Sequence, residues 1–125
     1  MKEIIGAAYN HGIPLSPAVK AGDYIFVSGQ VPTDEAGQVV TGGITKETEV
    51  VMRKIQTLLE QAGASLRDVV KTTVYLTDIQ CFPAMNQVYG SFFPSAPPAR
   101  SCFEVKLAID AKIEIEAIAY VPQAR

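Results

Sequence analysis

The chain has no tryptophan, a single histidine, two cysteines and no excess of positive charge, and each shortage removes a class of function. With His11 alone, catalysis by a Ser-His-Asp or Cys-His set would have to run through that one residue, and its setting Asn10-His11-Gly12 reads as a solvated loop. Cys81 and Cys102 are too few for a disulfide framework or a tetrahedral metal site. A net charge of -2 leaves no electrostatic footprint for nucleic acid. No apolar run approaches the length of a membrane span, and the first ten residues lack the apolar stretch of a secretory signal, so no membrane contact and a cytoplasmic location are expected.

What is present is an ordinary globular composition: 125 residues, 48% of them hydrophobic and 19% charged, enough for one core and one domain spanning 1–125. Ile4 and Ile5 suggest a short first strand. The segment from His11 to Ala18, broken by Pro14 and Pro17, reads as a shaped loop. Tyr24–Val31 is rich in β-branched and aromatic residues and reads as a buried strand. A turn at Asp34–Gly37 then returns the chain over Gln38–Val40 as its antiparallel partner, and Gly42-Gly43 ends the hairpin. A helix over 45–62 follows, with Thr45 as cap, Glu47 and Glu49 early, one apolar face of Val51, Ile55, Leu58, Leu59 and Ala62, and Gly63 as the stop. Val70–Leu76 alternates as a strand, a second helix runs from Pro83 to Phe93, and strands at Ser101–Leu107 and Lys112–Tyr120 close the chain. Asn86 and Tyr89 lie one turn apart on the second helix and read as structural residues.

The pattern predicts an α+β domain with a mixed sheet carrying both helices on one face. Its other face then needs cover. Glu116, Ile118 and Tyr120 share that face, so a second subunit is the natural occupant.

The stretch Pro97-Pro98-Ala99-Arg100-Ser101-Cys102 concentrates the chemistry. The double proline stiffens the approach to a strand, so Arg100 is held at the strand mouth. Such a guanidinium either pairs with a neighbouring side chain or grips a ligand carboxylate through two parallel hydrogen bonds.

Five segments in order, Phe26–Pro32, Asp68–Leu76, Asn86–Phe93, Pro98–Cys102 and Ile113–Ala117, together resemble the reactive-intermediate deaminase family, also called the YjgF/YER057c/UK114 family. The resemblance implies a chorismate-mutase-like fold with a six-stranded sheet, assembled as a homotrimer whose sheets form a central barrel with clefts between subunits. It implies hydrolysis of imines and enamines of the 2-aminoacrylate type to 2-oxo acids and ammonia, with no cofactor or metal. By matching position, Arg100 would bind the substrate carboxylate and Glu116 would position or activate water. Ser28 and Gly29 would help shape the pocket, and the Cys102 backbone would make polar contacts near the reacting carbon. Leu15 stands where the family carries a substrate-contacting tyrosine, and Lys54 where it carries an asparagine on the first helix. The same Arg100 cleft would also suit a trimeric small-carboxylate-binding or regulatory protein without turnover. RNA cleavage or translation inhibition, attributed to some relatives, is disfavoured by the acidic balance.

Overall fold

The computed structural model describes residues 1–6 and 12–122; His11 lies outside them. Among the described residues, strands β1 (Glu3–Ile5), β2 (Ala18–Ala21), β3 (Tyr24–Gln30), β4 (Val69–Leu76), β5 (Ala99–Glu104) and β6 (Ile113–Tyr120) form one sheet in the order β1-β2-β3-β6-β4-β5. Only β4 and β5 run parallel; the other neighbours are antiparallel. Helices α1 (Gly43–Gln61) and α2 (Phe82–Ser91) cover one face, as the sequence pattern requires.

Period-two alternation decides which face of the sheet is dry. Ile113, Ile115, Ala117 and Ala119 of β6 meet Val74 and Leu76 of β4 and Val51, Met52, Ile55 and Leu59 of α1 in one buried core. The opposite, open face presents Tyr24, Phe26 and Tyr120, each at least 40% exposed although large and apolar. Tyr24 and Tyr120 pack with ring centroids 5.2 Å apart.

Four expected boundaries move, each for a physical reason. The edge of β3 is paired by β2, not by Gln38–Val40. Pro32 supplies no donor and ends β3 early, so the returning segment makes one bridge, Thr33 to Val39, beyond it. α1 starts at Gly43 with Gly42 as cap, which places Thr45 inside the first turn. α2 ends at Ser91, short of the expected Phe93. β5 starts at Ala99 directly after the prolines and stops at Glu104, because its sole neighbour β4 ends at Leu76 and Val105 makes the last bond to that residue. The expected stop at Gly63 holds, with φ 82° in the region glycine tolerates best.

Glu47, expected near the helix start for its charge, is buried, and its Oε1 accepts from the Lys112 backbone N–H at 2.7 Å. It pins α1 to the mouth of β6. Glu47→Ala is expected to destabilise the fold by about 1.5–3 kcal/mol, read from the urea midpoint, because a charged acceptor is lost and a donor stranded. No helix among the described residues is long and apolar enough to cross a membrane.

Candidate active site

Arg100 is the second residue of β5 and lies on the helix-covered face, at the sheet edge under α2. Its Nη1 donates to Asn86 Oδ1 at 2.7 Å. Its guanidinium carbon lies 5.0 Å from the ring centre of Tyr89 and 5.4 Å from that of Phe82. Tyr89 is fixed in turn by a 2.6 Å hydrogen bond between its hydroxyl and that of the buried Thr72. Among the described residues no carboxylate is ion-paired with Arg100. Of the two roles the sequence allows, the strand-end salt bridge is therefore not what holds it; a neutral acceptor and two aromatic faces do.

Two residues on, Cys102 packs against the core edge. Burial pushes its thiol up and Arg100's charge only partly offsets this, so the thiol does not favour the nucleophilic thiolate.

A second polar cluster occupies the open face. Val27 pairs with Ala117 and Gln30 with Ile115, so Ser28 and Gly29 together oppose the single residue Glu116 in a β-bulge. The bulge re-aims the strand: Ser28 Oγ donates to the Ser16 carbonyl at 2.6 Å, anchoring the loop that carries the exposed Leu15. Gly29 leaves open the space that a carboxylate fills. A β-carbon added there would sit 1.9 Å from Glu114 Oε2. Burial, and then the charge of Glu116, push the Glu114 carboxyl above the usual carboxylate range. Tyr75 Oη donates to Glu116 Oε1 at 2.5 Å, and that bond is the main reason its own hydroxyl is pushed up to about 12. Tyr75, Glu114 and Glu116 line a recess of about 310 Å³ with Lys106.

The two clusters do not meet within one chain. Thr72 pairs with Arg100, and the next residue, Thr73, pairs with Glu116. Successive strand residues point to opposite faces, and Thr72 is buried under the helices, so Arg100 and Glu116 stand on opposite sides of the sheet. They also lie two strands apart, roughly 10 Å in the hydrogen-bonding direction. No substrate of a few carbon atoms can touch both in one copy. Of the residues the sequence singles out, Ser28, Gly29, Glu116 and the Leu15 loop come together on the open face, and Arg100 and Cys102 form a separate group on the other.

Sequence reasoning missed Glu114 and the part played by Asn86. The alternation of Ile113-Glu114-Ile115-Glu116 already puts both carboxylates on one face; the Gly29 contact of Glu114 and the Tyr75 bond of Glu116 distinguish them. Lys54 serves the frame: its Nζ donates to the Val31 carbonyl at 2.9 Å and to Thr33 Oγ1 at 2.8 Å. A cavity of about 630 Å³ between α1 and the loop after β3 holds neither cluster.

Fold and site together define a small α+β domain that presents a guanidinium cation on one face and a paired-carboxylate recess on the other. The chain belongs to the Endoribonuclease L-PSP family, whose model matches residues 7–121. This is the family that the sequence resembles. It is 51% identical over 109 residues to a RutC family protein of Pyrococcus abyssi, covering 86% of each chain. It is 43% identical over 110 residues to the 3-aminoacrylate deaminase RutC of Acinetobacter baylyi, covering 86% of this chain and 87% of that one. With the mouse 2-iminobutanoate/2-iminopropanoate deaminase the identity is 39% over 108 residues, covering 85% of this chain and 80% of that protein. A crystal structure of a Thermotoga maritima protein superposes with a TM-score of 0.91 at 42% identity, over 98% of this chain and all of that one.

Proposed function

We propose that the chain is an imine and enamine deaminase acting on small carboxylates, in a cleft shared between subunits of a homotrimer. The observation that carries this reading is the Arg100 guanidinium, half-buried, held in place and unpaired by any carboxylate among the described residues. The names of the Acinetobacter and mouse relatives supply the substrate class: a nitrogen-bearing unsaturated carbon within two bonds of a carboxylate.

The opposed clusters support the shared cleft. With Arg100 and the carboxylate pair on opposite faces, a complete site needs Arg100 from one subunit and the recess from its neighbour. The exposed Tyr24, Phe26 and Tyr120 give the neighbour an apolar surface to cover.

The chemistry then needs orientation, a water and a proton path, since an imine carbon is already electrophilic. Arg100 takes the substrate carboxylate through two charge-assisted bonds. A carboxylate of the recess takes a proton from water as its oxygen attacks the C=N carbon, and passes that proton to the nitrogen. It then takes the hydroxyl proton of the carbinolamine and hands it to the amine, so C=O forms as the C–N bond breaks, releasing ammonia and a 2-oxo acid. The resemblance gives the water to Glu116; the geometry favours Glu114, whose carboxylate lies over Gly29 and whose carboxyl is pushed up by burial, which makes it the better proton acceptor of the two. Glu116, clamped by Tyr75, lies beside it and pushes the Glu114 carboxyl up further.

The test is release of ammonia and 2-oxo acid from 2-iminopropanoate generated in situ by an amino-acid oxidase. Faster release than in buffer is expected. An unchanged rate with folded protein would leave only carboxylate binding.

A further inference from the structure

Phe82, Asn86 and Tyr89 occur at i−4, i and i+3 on α2, so one helix face receives the Arg100 guanidinium. Nothing on that face is charged. Two partners are ring faces, and the third is an amide oxygen that accepts one of the five guanidinium donors. An aspartate at 86 would fit the same space and reach the same Nη1. It would also neutralise the cation inside the protein and compete with any incoming carboxylate. An amide fixes the direction of the fork and leaves its charge for the ligand.

We infer that Asn86 is a positioning residue, which aims Arg100 through a neutral acceptor and so sets the affinity of the site for carboxylate substrates. The inference rests on Arg100 being the carboxylate grip proposed above. Tyr89, locked by Thr72, completes the mould: its ring cannot swing aside without breaking a buried hydroxyl pair.

The experiment compares Asn86→Asp with Asn86→Ala in the full-length protein, and carries Arg100→Ala as a separate arm. It reads KM and kcat for 2-iminopropanoate and the dissociation constant of pyruvate by calorimetry. If Asn86 only fills space, the near-isosteric aspartate is the milder change. With Asn86 as aimer of a cation, aspartate is the harsher one. Asn86→Asp is expected to weaken pyruvate binding and raise KM by about tenfold or more, Asn86→Ala by about threefold, with kcat little changed in both because a contact common to ground and transition states is lost. Aspartate equal to or milder than alanine overturns the inference. Should Asn86→Asp fail to fold, Asn86→Ser decides: a short neutral acceptor is expected to retain more pyruvate affinity than alanine, and equal affinities overturn the inference. Unchanged pyruvate binding in Arg100→Ala overturns the underlying grip instead, so the two failures are told apart.

Discussion

Arg100→Ala is expected to lower kcat/KM for 2-iminopropanoate by about 10²–10³-fold while the protein stays folded. Two charge-assisted bonds to a carboxylate are worth about 3–4 kcal/mol together, and nothing else in the first cluster can replace them. The neighbouring Asn86 is neutral and Cys102 is packed, so no second cation stands in. Arg100→Lys is expected to recover only part of the loss, because a point charge cannot reproduce the planar fork or lie on the Tyr89 and Phe82 rings as a guanidinium does. Steady-state ammonia release gives the ratio, and circular dichroism checks the fold. A change of less than about threefold in Arg100→Ala would remove Arg100 from the site.

Glu114→Gln is expected to cost about 10²–10⁴-fold in kcat, the usual range for losing a general base. It should also raise the melting temperature at pH above the raised Glu114 pKa. The sign follows from the raised carboxyl. A group that binds its proton more tightly in the folded state contributes stability below its unfolded pKa, and that contribution is lost as pH climbs through the folded pKa. Above the raised pKa the ionised Glu114 is therefore a burden on the fold, which glutamine removes; well below the unfolded pKa the two proteins should melt alike. The gain is small, because water reaches part of the carboxylate. The same ionisation governs the rate: activity should fall as pH drops through the raised pKa, above where an ordinary glutamate titrates, and the variant should lose that limb. Gly29→Ala should act on the same group from the other side. Its β-carbon would meet the end of a side chain that can swing away, so the fold survives and the carboxylate is displaced. Full activity in Gly29→Ala, with Glu114→Gln inactive, would show that the position of Glu114 over Gly29 is not the working one.

The core and its faces were legible from periodicity, because β4, β6 and α1 are long enough for alternation and helical spacing to declare themselves. β2 was not. Ala18–Ala21 is four residues with no large alternating side chains, and its signal is the Gly22-Asp23 pair, which makes a two-residue hairpin into Tyr24. Arg100 could be picked out from the prolines before it, yet its partners on α2 could not. Asn86 and Tyr89 show helical spacing, which says only that they share a face, and the guanidinium that arrives there comes from another element. Glu114 and Glu116 are equivalent by alternation; the bulge at Ser28-Gly29 separates them, and a bulge leaves no period in the sequence. The opposition of Arg100 to the carboxylate pair is a matter of register between β4, β5 and β6, which no local pattern encodes.

That opposition gives the most direct test of the shared cleft. Arg100→Ala and Glu114→Gln proteins, each inactive alone, would be mixed in equal amounts, dissociated and reassembled, and assayed for ammonia release. In a cyclic trimer with each site built from two neighbours, every mixed trimer contains one intact site, so statistical reassembly should restore about a quarter of the wild-type activity. No recovery from mixed trimers of verified composition would place the whole site within one chain and contradict the shared cleft.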